Sequence, residues 1–244
     1  MVRLLVAAAA GAAGEVSVTG PRLHHLRSVL RLREGDALEV FDGRGGAYDA
    51  RVARLGEAEA TLSLGPRREA PARRRIAVVQ GLPKAEKLEL VIQKGTELGA
   101  AAFAPAFAAR SVVKLDGARA QDRMRRWQAI AEEAARQCGR ADVPVVHPPR
   151  PLVEAVQALG PARVLVLDEE ERSALLGEAH ALAAPDEAMA LVIGPEGGLT
   201  REEIAALVAS AGAIPVSLGP LVLRTETAAL AALAVLRHLD GELG

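Results

Sequence analysis

The pattern of apolar and polar positions changes character near residue 76. Before it, short alternating runs at Arg3–Ala7, Ala37–Phe41, Tyr48–Leu55 and Ala60–Leu64 read as strands, and Glu15–Thr19 continues the opening as another. Alternation with period two, interrupted by Gly-rich turns and one helical stretch near Pro21–Leu30, predicts a small β-barrel. Pro66–Arg75, with Pro71 among arginines, reads as a linker. From Ile76 onward, apolar strands alternate with amphipathic helices, the strands falling at Ile76–Leu82, Ala102–Pro105, Val143–His147, Val164–Leu167, Ala190–Ile193 and Ile214–Leu218. That order predicts an α/β domain with a parallel sheet covered on both faces. The expected division is residues 1–68, a linker at 69–75, and 76–244.

Helical spacing places Leu88, Val91, Ile92 and Leu98 inward on a helix over Lys84–Leu98. Trp127, Ile130, Ala131, Ala134, Ala135 and Cys138 fall on one apolar stripe of another. A helix over Thr225–Leu239 carries Leu230, Leu233, Ala234 and Leu236, a face suited equally to a core or to a subunit contact. Two segments stand apart, Leu191–Thr200 (LVIGPEGGLT) and Ser217–Leu230 (SLGPLVLRTETAAL), because each runs from an apolar strand through a glycine turn into a helix. In the first, Gly194, Gly197 and Gly198 flank Pro195 and Glu196, so the backbone can approach a ligand closely. Thr200 with Glu203 forms a capping box for the next helix. In the second, Gly219-Pro220 forces a turn, and Thr225 is the expected N-cap of Glu226–Leu239. Standing alone, GPEGG is an ordinary strand-to-helix turn; paired with the second segment it predicts one pocket at the strand ends.

Composition narrows the partners. Half of the 244 residues are apolar, enough for a substantial core, yet Phe41, Phe103, Phe107, Tyr48 and Trp127 are the whole aromatic complement. Stacking platforms for single-stranded nucleic acid are therefore scarce, and an RNA partner would be held by charge and shape. The net charge of −1 hides a division: residues 1–150 hold 25 Lys/Arg against 17 Asp/Glu, and residues 151–244 hold 5 against 14. A basic first part and an acidic last part suit one face for a phosphate backbone and another turned away from it, although arginine also serves simply to solubilise an Ala-rich chain. The single Cys138 excludes an internal disulfide and fits a reducing compartment. The opening MVRLLVAAAAGAAG imitates a weak signal peptide but continues naturally as a strand, and no stretch is long and apolar enough to span a bilayer, so a cytoplasmic location is expected.

The two glycine segments match, almost letter for letter, the closing motifs of the SPOUT methyltransferases, and the chain most resembles the bacterial 16S ribosomal RNA uridine N3-methyltransferase family. Upstream blocks extend the likeness in the family's order and spacing: HHLRSVLRL (His24–Leu32), VFDGRGG (Val40–Gly46), KLELVIQKGTELG (Lys87–Gly99), RSVVKL (Arg110–Leu115) and RQCGRADVP (Arg136–Pro144). The first residues lack an aromatic that relatives commonly carry. Leu221 stands where many have a basic residue, so no phosphate or substrate contact is carried over to it.

The resemblance implies a SPOUT-type C-terminal domain with a deep trefoil knot, which periodicity alone does not show, and an N-terminal PUA-like barrel. It implies a pocket for S-adenosylmethionine at Leu167, Ile193, Gly194, Pro195, Glu196, Gly197, Gly198, Leu218, Gly219, Leu221, Leu223 and Thr227. Methylation at uracil N3 requires loss of a proton, and Arg110, Arg140, Glu196 and Arg224 are the candidates to assist it. Each also has an ordinary structural role open to it: a loop cap for Glu196, a pair with Glu226 for Arg224, a helix C-terminal cation for Arg140. Arg22, His24, His25, Arg27, Arg31, Lys87 and Lys94 are the expected contacts to 16S rRNA in the small subunit, a solvated helix face being the alternative for the first five. His24 and His25 lack further ligands at zinc spacing, so no metal is expected. A homodimer is implied by the same likeness. Two other classes stay open: a non-catalytic RNA-binding or assembly factor of the same fold, and a phosphate binder using the glycine loop as an anion nest.

Overall fold

A computed structural model of the chain describes residues 2–6, 14–112 and 117–244, the side chains of residues 117–119 excepted. The expected end of the first strand at Ala7, the small-residue run Ala8–Ala13 and the block residues Val113–Leu115 lie outside the described residues. The described residues fall into two units, Met1–Ala72 with Ala135–Val143, and Arg73–Ala134 with Pro144–Gly244.

In the first unit, β1 (Arg3–Leu5), β2 (Glu15–Thr19), β3 (Ala37–Phe41), β4 (Gly46–Leu55) and β5 (Glu59–Glu69) form a five-stranded sheet in the order β1-β3-β4-β5-β2. β1 runs parallel to β3, and the other pairings are antiparallel. The sheet curls into the expected barrel in the form of a half-barrel, with no pairing of β1 to β2 among the described residues. Register shifts in the β4–β5 ladder, between Tyr48 and Ala50 and between Val52 and Arg54, add the local twist that curls it. β5 continues through the expected linker to Glu69, because Arg67, Arg68 and Glu69 pair with Tyr48, Ala47 and Gly46. Between β2 and β3, α1 (Gly20–His24) passes into a π-helical turn (His25–Val29), and Leu23 and Leu26 fill the core with Val16, Val18, Leu38, Val40 and Leu62. The segment Ala135–Val143 joins this unit through three backbone acceptors and donors: Arg3 Nη2 donates to Arg140 O (3.0 Å), Gly45 N to Ala141 O (3.2 Å), and Val143 N to Gly43 O (3.0 Å).

The second unit runs β6 (Ile76–Gly81), α2 (Lys87–Glu97), β7 (Ala102–Phe107), α3 (Gly117–Cys138), β8 (Val145–Val146), β9 (Arg150–Pro151), α4 (Leu152–Gln157), β10 (Arg163–Leu167), α5 (Leu176–Ala181), β11 (Met189–Ile193), α6 (Arg201–Ala211), β12 (Ile214–Val216) and α7 (Thr225–Leu239). Its strands form a parallel sheet in the order β12-β10-β11-β6-β7-β8, with β9 also paired to β7. Leu152 and Val156 of α4 and Ile204 and Leu207 of α6 bury one face with Val79, Val164, Val166 and Val192. On the other side α7 packs on β6 and β11 and against α2 and α5. The central β11 is buried at every position, as expected of a parallel strand covered twice. β7 and β8 extend the sheet on one side of β6, and β11, β10 and β12 lie in that order on the other, with a crevice at the carboxyl ends of β10, β11 and β12.

The stripe on α3 is real: Trp127, Ala131, Ala134 and Ala135 are buried, while Ile130 and Cys138 are half-buried. At the end of α7, Asp240 receives Arg74 Nε (2.8 Å) and faces His180 Nε2 (2.8 Å), with all three side chains largely withdrawn from water. Burial alone would raise the Asp240 carboxyl, but Arg74 and His180 outweigh it and hold it below the usual range. Removing one partner of a buried pair leaves the other uncompensated, so Asp240→Ala is expected to cost about 3 kcal/mol. Urea denaturation of the full chain measures it; a loss under about 0.5 kcal/mol, the range of ordinary surface changes, would contradict this account.

Candidate active site

Three loops at the strand ends enclose a pocket of about 410 Å³, within the roughly 300–1,000 Å³ range of small-molecule sites. The first follows β10, the second is the glycine segment after β11, and the third follows β12; the last two were the expected glycine loops, and from the first only Leu167 was an expected lining residue. Leu167, Asp168, Glu169 and Arg172 come from the first, Ile193 to Glu196 with Gly198 from the second, and Val216 to Thr225 from the third.

The loops hold one another. Asp168 is almost fully buried and accepts both Arg201 Nη1 (2.6 Å) and Nη2 (2.7 Å), tying the first loop to the helix that follows the second. Asp168 N donates to Val216 O (3.1 Å), tying the first loop to the third strand. Arg201, then burial in opposition, then the Glu170 N–H set the Asp168 carboxyl, and the net effect holds it below its ordinary value. Glu171 stabilises the same loop by accepting from the hydroxyl and N–H of Ser173, which bring its carboxyl down to about 2.

The glycine segment is shaped by sterics. Pro195 O accepts Gly198 N (2.9 Å), closing a turn in which Gly198 takes a left-handed φ of 70°. A Cβ on Gly194 would lie 2.8 Å from the carbonyl carbon of Gly198, so a side chain there would force the turn apart. The predicted capping box is present: Glu203 N donates to Thr200 Oγ1 (3.2 Å) and Thr200 N to Glu203 Oε2 (2.9 Å). Thr225, in contrast, is not the N-cap of α7; Arg224 occupies that position without a side-chain cap. The buried Thr225 hydroxyl donates instead to Gly194 O and accepts Gln80 Nε2 (2.8 Å), which latches the second loop to the start of α7. A tertiary partner outcompetes the local cap at this position.

Of the residues expected to hold a cofactor, Leu167, Ile193, Gly194, Pro195, Glu196, Gly198, Leu218, Gly219, Leu221 and Leu223 line the pocket, whereas Gly197 and Thr227 do not. Gly197 lies under the Arg110 side chain, and its carbonyl accepts Arg110 Nη1 (2.6 Å). Arg224 lines the pocket, and its guanidinium makes no hydrogen bond or ion pair among the described residues. Glu196 accepts Lys84 N (3.0 Å) and Lys87 Nζ (3.0 Å), and Lys87 also approaches Glu226 (3.4 Å). Burial opposes ionisation of Glu196, but its own N–H, Lys87 and the Lys84 N–H prevail and keep its carboxyl low. Glu196 is thus a weak base, and Lys87, raised by the same Glu196, is a paired cation at the pocket wall. Arg140 belongs to the first unit, where it is buried and paired with Asp142.

Arg22, His24, Arg27 and Arg31 are exposed on and just after α1 and the π turn, and His25 is half-buried. Lys94 is paired with Glu97 (2.8 Å). The sequence reading missed Asp168, Glu169 and Gln80. For the first two the signal was available, since acidic residues directly after the apolar run of β10 stand at a strand's carboxyl end. Gln80 sits inside an apolar strand and carried no such sign.

A family model described as an RNA methyltransferase domain matches residues 69–237, and one described as an RNA methyltransferase PUA domain matches residues 18–64. The chain is 38% identical over 232 residues to the ribosomal RNA small subunit methyltransferase E of Bacillus subtilis, covering 91% of this chain and 89% of that protein. It is 42% identical over 223 residues to the protein of that name from Mycobacterium bovis, covering 88% and 83%. The crystal structure of a ribosomal RNA small subunit methyltransferase E from Neisseria gonorrhoeae bound to S-adenosyl methionine superposes with a TM-score of 0.86 at 31% identity, over 98% of each chain.

The Asp168–Arg201 pair gives a pH-dependent prediction. A depressed carboxyl adds stability that is present above its unfolded value of about 3.9 and fades as pH falls through the lower folded value. Asp168→Asn is expected to cost about 1–2 kcal/mol near neutrality, a modest figure for a charged pair because Arg201 is half-exposed. Denaturant midpoints of the two proteins should differ at pH 7 and converge below about pH 4; a constant gap would refute the assignment.

Proposed function

We infer, because this chain belongs to the ribosomal RNA small subunit methyltransferase E family, that it binds S-adenosylmethionine in the three-loop pocket and methylates N3 of a uridine in 16S rRNA. The observation that carries this reading is that the two glycine segments, which as a pair predicted one pocket, wall one pocket. The residues present suit the cofactor. Gly194 and Gly198 leave backbone exposed where a side chain would intrude, and Ile193, Leu218 and Leu223 offer apolar surface to an adenine ring.

When bound, S-adenosylmethionine supplies a methyl group activated by its sulfonium sulfur. The chain's own work is to orient the uracil, exclude water and favour the deprotonated base. Arg224, unpaired at the pocket wall, stabilises the negative charge spread over the uracil oxygens once N3 has released its proton to solvent. Glu196 and Lys87 neutralise one another and fix the wall, and Arg110 braces the glycine turn through Gly197. Arg140 supports the first unit.

The exposed Arg22, Arg27 and Arg31, with His24, form the rRNA-facing surface of the first unit; Lys87 and Lys94, already paired, contribute less. In this reading the chain carries the trefoil knot that the family likeness implies, with Leu191 to Thr200 and Ser217 to Ala228 side by side as walls of the pocket. A second copy of the chain would cover Leu221 and Val222, which are 78% and 77% exposed on the pocket rim. The expected compartment is the cytoplasm. No helix among the described residues is long and apolar enough to cross a membrane.

The test is incubation of the purified protein with methyl-labelled cofactor and either bare 16S rRNA or small subunits, followed by mapping of the modified base. A single 3-methyluridine is expected. Arg224→Ala should lower turnover about 10²–10³-fold while changing cofactor affinity little. RNA binding without methyl transfer would favour the assembly-factor reading.

A further inference from the structure

We propose that Glu169 gives the pocket its preference for a positively charged methyl donor over the neutral thioether that remains after transfer. The inference rests on the reading of the pocket as a methyl-donor site and assigns a specificity-determining residue within it.

Three carboxylates line the pocket, Asp168, Glu169 and Glu196. Asp168 is taken by both terminal nitrogens of Arg201 and by Glu170 N (3.0 Å). Glu196 is taken by Lys87 and by Lys84 N. The Glu169 carboxylate makes no hydrogen bond and no ion pair among the described residues. Its neighbour Arg172 makes no ion pair with it, because that guanidinium is turned to the carbonyls of Glu169 (2.6 Å) and Glu171 (3.1 Å). Yet the carboxylate is placed closely: an atom at the Cβ position of Gly198 would be 2.6 Å from Glu169 Oε1. It therefore overlies the glycine turn that forms the opposite wall.

The loop beneath it is fixed at both ends. Asp168 N is bound to Val216 O (3.1 Å), and Ser217 N is bound to Ala174 O (2.8 Å). A negative charge without an ion-pair partner at the wall of a concave site focuses potential and attracts a cation. In the transfer step the bond between sulfur and the methyl carbon breaks, its electron pair stays on sulfur, and the N3 lone pair forms the new bond. The ligand's sulfur ends uncharged and the attraction disappears, so the same residue that favours binding of the donor favours release of the product. Adenine, ribose and the amino-acid end are common to both ligands and give no such discrimination.

Titration calorimetry of the full chain with S-adenosylmethionine, S-adenosylhomocysteine and an analogue bearing an amine in place of the S-methyl group separates the possibilities. Glu169→Gln should weaken the two charged ligands by about tenfold and the thioether by less than about twofold, the size expected of one partly screened charge pair. The donor's advantage over the thioether in the unaltered protein should also shrink as salt is raised. Asp186→Asn removes a negative charge from an exposed position outside the pocket and should leave all three affinities unchanged, and thermal melts confirm that both variants fold. Equal weakening of all three ligands would overturn the proposal by showing that Glu169 holds a group they share. Unchanged affinities would overturn it too. If the unaltered protein binds none of the three, the pocket reading itself fails, and this is distinguishable because it requires no variant.

Discussion

The candidate site depends on one constraint: three loops that leave neighbouring parallel strands must hold a fixed relation without a continuous layer of core beneath them. The buried Asp168 carboxylate meets this by gripping Arg201 with both oxygens while its own N–H binds β12. Charge-assisted, bidentate bonds fix direction as well as distance. On the far side of the glycine turn, Thr225 and Gln80 hold the Gly194 carbonyl. With these two ties in place, the turn at Gly194–Gly198 needs no side chains of its own and can present bare backbone. The pocket is a consequence of the ties, and its chemistry follows from which charged groups they leave unused.

That distribution of engaged and disengaged charge gives the site its character. Lys87, Glu196 and Asp168 are neutralised locally and act as structure. Among the described residues, Arg224 and Glu169 are left without ion-pair partners in the pocket wall, as is Arg172, whose guanidinium binds backbone carbonyls. A site built this way can bind a cationic donor and stabilise an anionic nucleophile without either charge being quenched by the protein. The reaction inferred asks for both.

Much of this was legible in the sequence, for identifiable reasons. The parallel sheet followed from uninterrupted apolar strands separated by helices, and its strands lie where the pattern put them, give or take a residue or two. The two glycine segments were legible because a strand, a glycine turn and a helix in immediate succession leave few backbone paths. The latch at Thr225 was not: a threonine before a helix looks like an N-cap, and only the fold reveals that Gly194 and Gln80 offer its hydroxyl better partners. The curled sheet of the first unit was legible as a barrel, although alternation specifies strands and not whether the outer two meet. Lys87 was an expected RNA contact, and its pairing with Glu196 and Glu226 was not legible because both are distant in sequence.

The central claim is that the loops after β10, β11 and β12 act as one ligand-binding body. Hydrogen exchange of the full chain with and without S-adenosylmethionine tests this most directly. The account predicts that saturating ligand slows exchange together in residues 168–174, 194–200 and 217–225. Protection confined to one of these segments, or appearing elsewhere while they remain unchanged, would contradict it.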